Sequence, residues 1–226
     1  MDLTASYETA VPADVLARYD FFETRNASVI LEAASPVAFE QFFDMLRGFE
    51  LIDADFAVPR GEASLLDARL TYALRECGWR RARTATRTTI TLEVRPSTDA
   101  DEGSGRVEAS RLREDEYAVE HWLDRIAVEL DWSARKDALH NRFATYRTLW
   151  AAGLIRGVII VTRAVNLRDL GKQVRLGASP ALVASDEGRT SATPNLRRLL
   201  RRLQKGDAGG CPILVVAISE RTLQRL

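Results

Sequence analysis

Cysteine is nearly missing from this chain: Cys77 and Cys211 are its only two. Two cysteines so far apart build neither a disulfide framework nor a zinc motif, so both are expected as buried thiols in a reducing compartment. No apolar run reaches the length of a membrane span. The N-terminal residues lack the basic-then-apolar pattern of a secretory signal, so the expected location is the cytoplasm. Net charge is absent too, because 32 basic residues cancel 32 acidic ones. A nucleic-acid partner, which needs Lys and Arg at its phosphates, is then compatible with the chain only if the basic residues cluster. There is no internal repeat.

What the chain has is enough apolar material for a core, 46 % hydrophobic against 28 % charged residues over 226 positions. That suits one substantial α/β domain, or two small ones. Residues 27–33, Ala-Ser-Val-Ile-Leu-Glu-Ala, suggest a strand. Ser35-Pro36 offers a cap and a first-turn proline for a helix with Phe39, Phe42, Phe43 and Leu46 on one face, a stripe expected in the core. Leu66, Leu70 and Leu74 mark a second helix closed by Gly78. Arg75, Arg80, Arg81, Arg83 and Arg87 gather around a Thr-rich strand at 84–94, either a solvated edge or a phosphate-tracking surface. Residues 97–105 form a polar, acidic surface loop within the same domain rather than a boundary.

The centre of the chain is residues 119–132. Ile126, Val128 and Leu130 alternate with Ala127, Glu129 and Asp131, the period of a strand. Glu129 and Asp131 therefore leave one face, roughly 6–7 Å apart. Glu120 lies far enough upstream for the chain to fold back and add a third carboxylate. Asp124 is expected in the turn, and His121 and His140 in non-catalytic positions. Asp137 can cap a helix carrying Leu139, Phe143, Tyr146 and Trp150, with Gly153 past its end. The unalternating Gly157-Val-Ile-Ile-Val-Thr162 reads as a strand covered on both faces. Strand, helix and buried strand make a βαβ unit and put the acidic strand inside a sheet. Paired interior carboxylates need a compensating partner. Hard oxygen ligands favour Mg²⁺, Mn²⁺ or Ca²⁺ in that place.

Further along, residues 166–175 suggest a short helix and 177–189 a loop. Thr193-Pro194 starts a helix with Leu196, Leu199, Leu200 and Leu203 inward and Arg197, Arg198, Arg201, Arg202 and Lys205 on the other side. Gly209-Gly210 is expected to break it, and residues 212–218 to form a last buried strand.

The run Arg125-Ile-Ala-Val-Glu-Leu-Asp-Trp132, then Lys136-Asp137, Phe143, Tyr146-Arg147 and Gly157-Val-Ile-Ile-Val-Thr-Arg163, resembles the type II restriction endonucleases of the BglII and BstYI group. Gly188-Arg-Thr-Ser-Ala-Thr193, Leu199-Leu-Arg-Arg-Leu203 and Gly209-Gly-Cys-Pro-Ile-Leu-Val215 resemble that group's closing segment. Leu74-Arg-Glu-Cys-Gly-Trp79 adds a weaker likeness. The resemblance implies a PD-(D/E)XK core, a mixed sheet flanked by helices. It implies a Mg²⁺-dependent homodimer, Mn²⁺ able to substitute, that cuts double-stranded DNA at a short palindromic site to 5′-phosphate and 3′-hydroxyl ends.

Glu120, Glu129 and Asp131 are the candidate catalytic residues. Together with the Leu130 backbone carbonyl they are the candidate metal ligands, and Asp131 alternatively orients the attacking water. Ser133, Arg135 and Lys136, on the loop leaving the acidic strand, are candidates for DNA contact. So are Thr190, Ser191, Thr193, Asn195 and Arg197. Glu120 stands where the group usually has Asp, Asp131 where Glu, Gln or Asn is commoner, and Leu123 where Lys is frequent. These departures motivate an alternative, a nuclease-fold protein that binds DNA without cutting.

Overall fold

In the computed structural model, residues 1–56, 65–94, 106–132, 138–165, 167 and 196–223 are described. Two short helices, α1 (Tyr7–Ala10) and α2 (Ala13–Leu16), lead into strand β1 (Tyr19–Thr24). Helices α3 (Ala27–Ala34), α4 (Pro36–Gly48) and α5 (Leu65–Glu76) follow. Strands β2 (Arg80–Val94), β3 (Arg106–Leu123) and β4 (Ile126–Leu130) come next. The chain then passes through α6 (Ala138–Ala151), β5 (Gly157–Arg163), α7 (Leu196–Gln204) and β6 (Ile213–Ile218).

The strands form one six-stranded mixed sheet in the order β1-β6-β5-β4-β3-β2. β4, β5 and β6 run parallel, while β1 is antiparallel to β6 and β3 to β4. The expected β4-α6-β5 unit is present, with Glu129 registered against Ile160. Two compact units divide the chain: Met1–Arg81 with Val119–Leu226, and Ala82–Ala118, which holds most of β2 and β3.

The parallel strands are buried on both faces, so their apolar residues do not alternate with polar ones. One set of side chains, Val128, Ile159, Val161, Leu214 and Val216, belongs to a core with the α4 stripe Phe39, Phe42, Phe43 and Leu46 and with Leu66, Leu70 and Leu74 of α5. Each such side chain contributes roughly 1.5–3 kcal/mol by leaving water. The other set, Ala127, Val158 and Ile160, is buried on the opposite face, the face from which Glu129 also departs. Gly157 begins β5 where only a hydrogen fits: a Cβ there would come to 2.8 Å from the Pro212 carbonyl oxygen and 3.0 Å from Leu31 Cδ2.

Several expectations need correction. Residues 27–33 are helical, not extended. Ala27, Ser28 and Leu31 are buried at helical spacing while the β-branched Val29 and Ile30 are exposed. The helix start is fixed by Glu23 of β1, whose Oε2 accepts from the Ser28 backbone N–H at 2.8 Å and the Ser28 hydroxyl at 2.7 Å. A carboxylate at a helix N-terminus satisfies its free donors. Ser35 makes no side-chain cap to α4; its hydroxyl donates to the Asp124 carbonyl at 2.5 Å. On α6 the inward residues are Phe143, Tyr146 and Leu149, and Trp150 is 39 % exposed. Helix α7 ends at Gln204, before Gly209-Gly210, because Gly206 takes φ +84° and turns the chain first. Leu200 is only half-buried, and Arg202 is half-buried rather than solvated, bridging to Asp207 and lying over the Phe143 ring. The expected loop at 97–105, helix at 166–175 and loop at 177–189 lie outside the described residues, apart from Leu167, as does the Asp137 cap.

Candidate active site

The hairpin that joins β3 to β4 turns through Asp124 and Arg125, both with positive φ (42° and 65°). Two such residues in succession make the tight turn whose twist matches a hairpin. The expected place of Asp124 in the turn holds. Pairing then runs Leu123 to Ile126, Trp122 to Ala127 and His121 to Val128. Carried one step further, this register puts Glu120 opposite Glu129. Residues directly opposite share a face with Cβ atoms about 4.5–5.5 Å apart. His121 shares the other face with Val128, away from the acidic side chains, and is 4 % exposed. Burial, with the nearby Arg75 charge assisting, holds its imidazole below the ordinary histidine range.

Glu129 is 7 % and Asp131 3 % exposed. The Asp131 backbone N–H donates to the Val161 carbonyl at 2.8 Å, so the register of β4 on β5 fixes where its side chain starts. Burial pushes the Glu129 carboxyl up to about 7, opposed by the Arg142 guanidinium and the Tyr146 hydroxyl and reinforced by the charges of Asp131 and Glu120. Burial likewise pushes the Asp131 carboxyl up, against the pull of Arg142, Arg163 and Arg198. Glu120 differs from both: its side chain is 54 % exposed and pairs with Arg81 Nη2 at 3.1 Å.

Helix α6 supplies the partners of Glu129. Tyr146 Oη donates to Glu129 Oε2 at 2.5 Å, and Arg142 Nη1 pairs with Oε1. Residues four apart on a helix lie on one face, which is why a single helix reaches both oxygens. Arg163 closes the end of β5, donating from Nη2 to the Trp132 carbonyl at 2.5 Å with its guanidinium 4.3 Å from the Trp132 ring centroid.

Matching against family models aligns residues 19–218 with the restriction endonuclease BglII/BglIII family. The chain belongs to that family. No curated protein matches it. Membership makes the chain a nuclease-type hydrolase with DNA as substrate, and the six-stranded mixed sheet flanked by helices is a restriction-endonuclease-like fold. Among the described residues no helix is long and apolar enough to cross a membrane.

Of the expected site residues, Glu120 and Asp131 both act on the Glu129 carboxyl, and Leu130 lies half-buried between Glu129 and Asp131. Arg197 is exposed on the first turn of α7. Ser133, Arg135, Lys136, Thr190, Ser191, Thr193 and Asn195 lie outside the described residues. Among the described residues no three His, Cys, Asp or Glu side chains gather closely enough to hold a metal ion. The compensating partner that the interior carboxylates require is here a guanidinium, Arg142. Sequence reasoning missed it and placed Tyr146 only in an apolar stripe. The one signal for the pair was their i, i+4 spacing on the helix after the acidic strand.

Proposed function

We propose that the protein is a Mg²⁺-dependent type II restriction endonuclease. It hydrolyses both strands of a short palindromic duplex site as a cytoplasmic homodimer, leaving 5′-phosphate and 3′-hydroxyl ends. The observation that supports this best is the buried Glu129 on an interior strand and Asp131 just past its end, with Glu120 across the hairpin, in a chain of the BglII family.

The donor chemistry fits a hard divalent ion. Carboxylate oxygens are the ligands such ions prefer, and two of these carboxylates are held toward their protonated forms by burial, a cost that a cation between them would relieve. Glu129, Asp131 and the Leu130 carbonyl would hold it, with Glu120 joining them on leaving its Arg81 pair. When bound, a divalent ion supplies positive charge to the developing phosphorane and makes a nearby water acidic. Asp131 would orient the attacking water. Tyr146 holds the Glu129 carboxylate in one orientation, as outer partners of metal ligands do. Ser133, Arg135, Lys136, Thr190, Ser191, Thr193, Asn195 and Arg197 are the proposed DNA contacts, and Mn²⁺ the proposed substitute ion.

Incubating the protein with DNA of known sequence, Mg²⁺ and then a chelator tests this reading. Discrete fragments with mappable ends are expected with Mg²⁺ only. Intact DNA or a smear counts against it. Glu129→Gln should lower cleavage by at least about a hundredfold while leaving Ca²⁺-supported binding of the cognate duplex in place. One observation favours a second reading, binding without cleavage: Glu129 and Glu120 each already have an arginine partner. Turnover on any duplex would dismiss it.

A further inference from the structure

We propose that Arg142 is an internal counter-ion that a divalent cation must displace from Glu129, so that helix α6 sets the threshold for metal loading; this rests on Glu129 being a metal ligand. Three observations carry it. Both oxygens of the carboxylate are engaged, Oε1 by Arg142 and Oε2 by Tyr146. Glu129 is 7 % exposed, so water has little access to the remaining lone pairs. The partners differ in freedom: Tyr146 is 3 % exposed and set in the core, whereas the Arg142 side chain is 32 % exposed.

A cation entering this site needs an oxygen of Glu129 directed at it. Moving Tyr146 would open the packing between α6 and the sheet, and dense interiors resist that. Moving Arg142 transfers a guanidinium from a half-buried ion pair into water, where it is well solvated. Arg142 is therefore the group that yields. The exchange replaces one positive charge by two. It is unfavourable to leave Glu129 with neither, because an unpaired buried carboxylate is costly. The Glu129–Arg142 ion pair is thus stable, and metal affinity is lowered by whatever that pair contributes.

Calorimetric titration of Ca²⁺ alone, without DNA, into the full-length protein tests the exchange. Arg142→Gln should bind Ca²⁺ on the order of tenfold more tightly than the unaltered protein, since the competing cation is gone. Arg147→Gln, which removes a charge from an exposed position further along the same helix, should change affinity by less than about twofold, the screened effect of a distant charge. Unchanged or weaker binding by Arg142→Gln overturns the proposal. So does an equal gain from Arg147→Gln, which would reduce the effect to net charge. Should Arg142→Gln fail to fold, Arg142→Lys loses the planar fork and should bind Ca²⁺ about threefold more tightly; an unchanged affinity there overturns the proposal as well. Glu129→Gln separates the two failures. If it abolishes Ca²⁺ binding while Arg142→Gln gains nothing, Glu129 is a ligand and the counter-ion role is wrong. If Glu129→Gln retains binding, the ligand assignment itself falls.

Discussion

The Tyr146 hydroxyl donates to Glu129 Oε2 across 2.5 Å, from a helix to the interior strand that follows a hairpin. The contact ties the orientation of the candidate catalytic carboxylate to the packing of α6 rather than to a loop. Sites supported by regular elements hold their geometry more tightly than sites on loops. β4 supplies Glu129 and leads directly into Asp131, β5 fixes their register, and α6 holds Glu129.

Tyr146→Phe keeps the ring and removes only the donor. Loss of a hydrogen bond to a buried charged group costs about 1–3 kcal/mol, so thermal unfolding should show a clear decrease in stability. Cleavage should fall by about ten- to a hundredfold, the usual effect of removing an outer partner of a ligand. The fall should appear in kcat with KM for DNA little changed. A variant with full activity would mean that Glu129 needs no orientation from α6.

Glu120 can be separated from structure because it is half-exposed and its partner Arg81 is too. Exposed ion pairs contribute about 0–1 kcal/mol, so Glu120→Gln should unfold at nearly the same temperature as the unaltered protein. Its cleavage rate should nevertheless drop by at least about a hundredfold if the side chain ligates the ion. Equal activity of the two proteins would remove Glu120 from the site and leave Glu129 and Asp131 to act alone.

Much of this arrangement was legible in the chain because local patterns coincide with tertiary needs. The apolar run from Val158 to Val161 has no polar interruption, and it is buried on both faces. Phe39, Phe42, Phe43 and Leu46 recur at helical spacing and form core. The strand misassigned at residues 27–33 shows the opposite case. Val29 and Ile30 favour extended structure, but the decisive group is Glu23, a residue of the preceding strand whose carboxylate satisfies the first turn. Arg142 was illegible for a similar reason. Its i, i+4 spacing from Tyr146 is the sole local cue among the Lys and Arg residues, 32 in all, and only the placement of α6 brings it to Glu129.

Glu23 also sets the response of the fold to acid. It is fully buried, and its Oε1 accepts from the Ser6 backbone N–H at 2.5 Å and the Thr4 hydroxyl at 3.1 Å, while Oε2 takes both donors of Ser28. Burial pushes this carboxyl up, but the donors from Ser28 and Ser6 outweigh it and the net displacement is downward. A carboxyl held below its unfolded value binds fewer protons in the folded state. Its contribution to stability is then present above the unfolded pKa of about 4.3 and is lost as the pH falls through the folded value. Glu23→Gln keeps the shape but turns one acceptor into a donor that faces other donors. At pH 7 it should cost about 1–3 kcal/mol, the penalty of an unmatched buried polar group. Below pH 4 the difference between the two proteins should shrink, because the unaltered chain is losing the same contribution. Chemical denaturation at a series of pH values measures both limbs, and a difference that stays constant from pH 7 to pH 3 would show that Glu23 is not titrating with the fold.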